Sequence, residues 1–335
     1  MNLIRQLLYL FAFFYVAIPV YAANQEVDTS KSPQTYIDKT ANGIDLINIS
    51  NPNSKGVSVN HYNKFNVGNQ GAILNNSKVI GISQLGGVVY ANPNLNKTAD
   101  IILNEVGSTN RSVLTGALEV FGKNAAVVIA NPNGIDCNGC SFINTSRLSL
   151  ITGNANITNG QVTSFNINND LSSDFVIGEL GLYANNTDSV NIVSRAIKLR
   201  GELQAKQDLA LKQGNDYYDY ITGEVKSNTD ASPVKFAIDA SHLTNISAGI
   251  INIIVTEKGA GINMVESDII ADLSKIDITA DGDIVLKNAH AKGDINITAD
   301  NLKQKGDITS NGAISIKLNK AYKNQGNLTT LNSPT

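Results

Sequence analysis

The residues with most reach into chemistry are two cysteines, three histidines and a few paired carboxylates. Cys137-Asn138-Gly139-Cys140 sets two thiols three positions apart across an Asn-Gly turn. That spacing serves a redox pair, half of a metal shell or a tight structural bridge. Two thiolates do not complete a four-ligand zinc shell, and His61, His242 and His290 are remote in sequence, so no metal site is expected. No helix N-terminus is evident beside the turn to activate a thiol. Asp281 and Asp283 share a face of an extended chain, with Asp268 and Asp272 nearby. On a β-helix such carboxylates suit cleavage of a polysaccharide, but solvated Gly-Asp turns are the preferred reading, since carboxylates are common there. The run Tyr217-Tyr218-Asp219-Tyr220 either offers a stacking surface to a sugar or protein, or packs as a loop on the flank of the fold. A phosphate-cradling glycine loop, a Gly-x-Ser-x-Gly elbow, a dinucleotide glycine pattern and a Gly-Gly-x-Gly-x-Asp calcium repeat are all missing. No catalytic residue is assigned and no cofactor is expected.

The chain that must position these groups has 335 residues, 42% hydrophobic and 16% charged, which excludes a disordered polymer and a multi-pass membrane protein. Lys+Arg is 26 against Asp+Glu 29, a formal charge of -3, so no basic field exists to hold nucleic acid. Asparagine is unusually abundant, 44 residues, beside 27 glycines. Both tolerate left-handed backbone and fill tight turns. With Val and Ile between the turns, the composition predicts many short strands and few helices. At the N-terminus, Arg5 precedes an apolar run over residues 7–18 and then Pro19-Val20-Tyr21-Ala22-Ala23. This predicts a secretory signal peptide over 1–22, delivered to the Sec machinery and cut between Ala22 and Ala23. Loss of Arg5 takes the charge to -4. In an oxidising compartment the expected reading of Cys137 and Cys140 becomes a structural disulfide, contributing about 2 kcal/mol.

Short apolar runs recur between turn signals: Val57-Ser58-Val59, Val88-Val89-Tyr90, Ile101-Ile102-Leu103, Val127-Val128-Ile129 and Val190-Asn191-Ile192. Near the C-terminus a true repeat emerges. Ile276-Asp277-Ile278, Ile295-Asn296-Ile297 and Ile314-Ser315-Ile316 are 19 residues apart, and Gly-Asp-Ile recurs at Gly282, Gly293 and Gly306. Nineteen residues extend to about 60 Å, one coil of three short strands stacked on the next at about 4.8 Å. A parallel β-solenoid is therefore expected, Ile on Ile inside and Asn or Asp on the corners. Such a stack needs capped ends. Residues 23 to 60 suit the first cap; the last repeat ends near Leu318, and the tail offers no second one.

Two Asn-Pro-Asn turns stand out, Asn92-Pro93-Asn94-Leu95 and Asn131-Pro132-Asn133-Gly134-Ile135, with a looser copy at Asn51-Pro52-Asn53. Proline presets φ at the first central position of a β-turn, and flanking Asn bonds to nearby backbone. Around them, in order, stand His61-Tyr62-Asn63-Lys64-Phe65-Asn66-Val67, Gly71-Ala72-Ile73-Leu74-Asn75-Asn76-Ser77, Ser141-Phe142-Ile143-Asn144-Thr145 and Val190-Asn191-Ile192-Val193-Ser194-Arg195-Ala196. Taken together these resemble the N-terminal secretion domain of two-partner-secretion exoproteins, the filamentous-haemagglutinin-like adhesins, cytolysins and contact-dependent inhibition toxins of Gram-negative bacteria. The Cys pair looks like the cytolysin branch.

The resemblance implies an all-β chain, a right-handed parallel β-helix with an N-terminal cap. It divides the sequence into a signal peptide (1–22), a secretion domain (23–260) and the start of a β-helix repeat region (261–335), short for the family. It implies recognition by the periplasmic domains of a dedicated outer-membrane transporter, passage as an unfolded chain, and folding at the cell surface. The expected function is a secreted, non-enzymatic exoprotein acting in adhesion, cytolysis or contact-dependent inhibition at a host or neighbouring cell. The Asn-Pro-Asn residues are its candidate secretion motif, through contact with the transporter or, preferably, through turn geometry. The second reading is a carbohydrate-active β-helix enzyme, and the third a cytolysin fragment dependent on its transporter. The short length suits a short exoprotein or a remnant of a longer gene.

Overall fold

The computed structural model describes residues 24–228, 234–242 and 245–331; the expected signal peptide and its Ala22–Ala23 cleavage point lie outside them. Every regular element among the described residues is a strand. An eleven-stranded sheet forms one face of the molecule. Its parallel members run Val57–Phe65, Ile101–Val106, Ala125–Ala130, Thr145–Ile151, Ser189–Ser194, Asp208–Gln213, Ile250–Val255, Ile276–Ala280, Ile295–Ala299 and Ile314–Leu318, each on the one before. A nineteen-stranded sheet supplies two further ribbons, fused because Gly261–Ala271 and Ile284–Ala291 each run through both. The chain thus winds as a parallel β-helix.

Strand alternation explains the core. One inward column reads Ile102, Val127, Leu148, Val190, Leu209, Ile251, Ile276, Ile295, Ile314. All but the last are buried. Full burial of one such side chain is worth roughly 2 kcal/mol, so these columns dominate stability. The expected 19-residue period is an exact register, Ile276 on Ile295 on Ile314.

The N-terminal end is closed by two antiparallel strands. Gln25–Val27 pairs with Val57–Phe65, and Tyr36–Lys39 pairs with Asp45–Asn48. Parallel stacking already begins where Asp45–Asn48 meets Ala72–Asn76, so the antiparallel part of the cap ends earlier than the composition suggests. Beneath it the interior is polar. Asn60 stacks on Asn104 in an inward column that continues as Ile129, Leu150 and Ile192. The Asn60 Oδ1 accepts from the Thr35 hydroxyl at 2.7 Å and the Ser50 amide at 2.9 Å. The Tyr62 hydroxyl donates to Asn104 Oδ1 at 3.2 Å.

The far end corrects the expectation that the repeats stop near Leu318. Tyr322–Asn324 and Leu328–Thr330 complete another coil on Leu302–Gln304 and Ile308–Ser310. The intervals there lengthen from 18 and 19 to 20 residues, and Tyr322 stands on Leu302 and Leu328 on Ile308, which hides the coil in the sequence. Its outer edge is unpaired among the described residues.

Two small sheets stand outside the coils. The hairpin Gly153–Thr158 and Gln161–Ile167 joins Tyr217–Asp219 and Val225–Lys226 in a four-stranded antiparallel sheet. Phe165, Tyr218 and Tyr220 seal it onto Leu103, Val128, Ile151 and Val193. The tyrosine run is thus a strand and its edge rather than a loop, and Tyr218 and Tyr220 are buried. A smaller hairpin, Gly81–Ser83 with Gly87–Val89, rests on Ile73 and Phe121. The buried Glu119 carboxylate fixes its tip, accepting from Ser83 Oγ at 2.7 Å and from the Gln84 and Leu85 amides at 2.9 Å.

Candidate functional site

The first Asn-Pro-Asn turn carries the chain from the small outer hairpin into the eleven-stranded face, between Gly87–Val89 and Ile101–Val106. Asn92 is buried, and its Oδ1 accepts the Asn94 amide at 3.0 Å, a local turn that asparagine makes readily. Its Nδ2 donates to Ile49 O at 3.0 Å and Asn75 O at 2.9 Å, tying the corner to the coil below. Asn94 Nδ2 reaches Gln34 O at 2.7 Å in the cap. Leu95 turns into the core, while Pro93 is exposed. The Asn96 amide donates to Asn51 Oδ1 at 2.8 Å, so the corner sits on the looser copy at Asn51.

The second turn carries the chain the opposite way, out of the eleven-stranded face between Ala125–Ala130 and Ile135–Cys137. It reuses the same device. Asn131 is fully buried; its Oδ1 accepts the Asn133 amide at 2.9 Å, and its Nδ2 donates to Asn110 O at 2.9 Å and Ser112 Oγ at 3.0 Å. Asn133 Nδ2 donates to Ser108 O at 2.6 Å. Ile135 enters the core. Half-buried Pro132 offers its carbonyl to Asn168 Nδ2 at 2.6 Å. Gly134 has φ of 103°, and a Cβ there would lie 2.0 Å from Arg111 Nη1. The φ calls for glycine, and a Cβ would also push the Arg111 guanidinium from its place. Arg111 spans the corner, donating to Asn133 O at 3.2 Å and Asp136 at 2.6 and 3.1 Å, and pairing with Asp174 at 2.9 Å. Burial works against its charge, but the Asp136 hydrogen bond and the charges of Asp136 and Asp174 outweigh it and hold the guanidinium above its usual range.

The two turns therefore occupy different corners. Each spends its asparagine amides on backbone and hydroxyl groups of its own chain. Two coil-to-coil clamps result.

Cys137 and Cys140 form a disulfide with Cα atoms 5.4 Å apart, both buried in the main core. The bridge closes the corner between Ile135–Cys137 and Cys140–Ile143, with Gly139 at φ of 85°. Asn138 Oδ1 accepts the Leu180 amide at 2.9 Å from the following coil. Neither sulfur is free for redox or metal chemistry in this state.

Sequence reasoning quoted Arg195 but missed what it does. Its guanidinium meets the buried Glu257 carboxylate at 2.8 and 3.2 Å, and Gln213 Nε2 donates to both Glu257 Oε2 and Arg195 O at 3.0 Å. The partners lie 62 and 18 positions away from Arg195, so no local pattern announces them. The carboxylates considered for sugar chemistry have other tasks. Asp268 and Asp283 accept from Asn288 and Asn301 of the next coil at 2.8 and 2.6 Å, while Asp272 and Asp281 stand on exposed positions.

A capped parallel β-helix with clamped corners and two extrahelical sheets defines a solenoid of the secretion-domain type. Residues 22–286 match the family described as TPS secretion domain, and the chain belongs to that family. It is 38% identical to the tRNA nuclease CdiA of Yersinia mollaretii over 93% of this chain, and 37% identical to the hemolysin of Proteus mirabilis over 79%. It spans 10% and 16% of those proteins. The crystal structure of the filamentous hemagglutinin secretion domain superposes with a TM-score of 0.72 at 29% identity, covering 92% of this chain and 99% of that one. The enzyme reading is not favoured by these likenesses.

Proposed function

We propose that the chain directs export of a two-partner-secretion exoprotein. Residues 1–22 act as a signal peptide read by the Sec machinery, 23–260 as the secretion domain and 261–335 as the first of the repeat region. The partner is a cognate outer-membrane transporter, engaged through its periplasmic domains, and the destination is the cell surface or medium, reached by way of the periplasm. The chain itself carries no catalysis in this reading. Adhesion, cytolysis or growth inhibition of a neighbouring cell belongs to the exoprotein as a whole.

Membership of the secretion-domain family carries this reading. The architecture supports it physically. A coil contacts only its neighbours, so folding can advance one coil at a time from a closed N-terminal end. Each completed coil buries apolar surface and opposes return through a pore. The Asn-Pro-Asn asparagines contribute as clamps between coils, since their side chains are already engaged internally. Coexpression with the cognate transporter tests both parts. The intact chain is expected outside the cell only when the transporter is present; equal release without it refutes the export role. Asn92→Ala and Asn131→Ala should lose export in step with lost urea resistance. Export abolished at unchanged stability would instead assign these residues to transporter contact.

A further inference from the structure

The small hairpin Gly81–Ser83 with Gly87–Val89 has its polarity the wrong way round for a surface element. Its register sets Ile82 opposite Val88, Gly81 opposite Val89 and Ser83 opposite Gly87. Alternation turns Gly81, Ser83 and Val89 toward the shaft. Ser83 and Val89 are buried there, and a Cβ on Gly81 would come within 3.1 Å of the Phe121 ring. Ile82 and Val88 therefore point outward together, and Ile80 and Tyr90, two positions further along each arm, fall on the same side. A solvated sheet face carries polar side chains. Here Ile82 is 83% exposed, Tyr90 73%, Ile80 58% and Val88 57%, and nothing among the described residues covers them. Tyr36 and Pro93, both exposed, extend the surface, lining one groove with Val88 and Tyr90.

Single apolar side chains on a surface need no explanation, but a contiguous group does. The four outer side chains leave roughly 500 Å² open, as much as the largest patch on an ordinary monomer. The chemistry around them selects the occupant. Residues 79–96 contain no Asp, Glu, Lys, Arg or His, and Lys78 and Lys97 stand only at the two ends. A lipid-binding face sets rows of Lys or Arg beside its apolar residues, and a charged partner calls for an opposite field. This segment offers neither. A second copy brings a face of equal size and equal neutrality, and a two-fold axis lets each hairpin cover the other without opposing like charges. Together the two faces remove roughly 1,000 Å² from water, the size at which specific contacts begin.

We propose that the hairpin is a self-association site, through which two copies of this chain pair about a two-fold axis. Ile80, Ile82, Val88 and Tyr90 form the apolar centre, and the two hairpins pack face to face at about 10 Å, as stacked sheets do. An area at the lower bound for specific contacts gives a reversible pair, with a dissociation constant in the micromolar range.

Sedimentation equilibrium of the purified chain from about 1 to 100 µM tests the pairing, a range that spans micromolar dissociation. A monomer–dimer equilibrium is expected. Ile82→Glu places two carboxylates on the axis side of the contact and should weaken pairing about tenfold or more, the effect of losing one central anchor. Leu273→Glu, at an exposed apolar position of a later coil, should leave pairing unchanged. The apolar run over residues 7–18 and the open final coil are common to all three proteins, so a loss confined to Ile82→Glu belongs to the hairpin. A chain that stays monomeric throughout, or a dimer weakened equally by Leu273→Glu, overturns the proposal. Where circular dichroism shows that Ile82→Glu fails to fold, Tyr90→Ser decides, and undiminished pairing in it also overturns the site. A monomer that binds vesicles of phosphatidylcholine with phosphatidylglycerol, and loses them in Tyr90→Ser, replaces the second copy by a lipid surface.

Discussion

At the level of single residues, the corner at Gly134 makes the sharpest demand. A side chain there must accept a φ of 103° and intrude to 2.0 Å from the Arg111 guanidinium. Gly134→Ala should lower unfolding free energy by about 2 kcal/mol or more, read from the urea midpoint. In an Arg111→Ala background the steric part disappears and the backbone strain stays, so the two substitutions should be clearly non-additive. An additive result would mean that Arg111 does not rest on this glycine. The β-turn and the bonding asparagines were legible in Asn131-Pro132-Asn133-Gly134, because both are local matters of φ and short side chains. Arg111 was not legible, since its partners Asp136 and Asp174 meet it only after the chain has wound on. The same holds for Glu257 against Arg195.

At the level of strands and corners, the C-terminal coils carry side-chain ladders that alternate in charge. Asp268, Asn288, Asp307 and Asn327 stack in order, each Asn sharing hydrogen bonds with the acids beside it. Alternation has a plain cause: neighbouring coils are about 4.8 Å apart, where two carboxylates repel and an amide can donate. Asn288→Asp should therefore cost stability at pH 7, by roughly 1 kcal/mol at these solvent-facing positions. Protonation in acid removes the repulsion, so the penalty is present at neutral pH and fades as the solution is acidified. Urea midpoints at pH 7 and near pH 4 should show the gap to the unaltered chain closing; a constant gap would remove repulsion as its cause. The 19-residue period revealed this part of the fold in advance because nothing interrupts it. Elsewhere the register spans 42 residues, from Leu148 to Val190 and from Leu209 to Ile251, as the strands of the extrahelical sheet leave the shaft and return. A fixed interval cannot be seen through such excursions, and the tyrosine strand was misread for that reason.

The two ends of the whole molecule differ. One is covered by antiparallel strands and a polar interior; the other presents Ile314, Ile316 and Leu318 beside the exposed strands Tyr322–Asn324 and Leu328–Thr330. Amide hydrogen exchange should fall into a gradient, fastest in the final coil and slowest in the middle strands of the eleven-stranded face. Uniform protection along the axis would show that the stack opens as one unit. A ladder of near-identical isoleucines has a further weakness, for it looks the same after a slip of one whole repeat. The amides of Asn60 and Asn104 answer it. Deep among hydrocarbon they would be stranded anywhere except under Thr35, Ser50 and Tyr62, so the stack has a single permitted zero from which its rungs are counted.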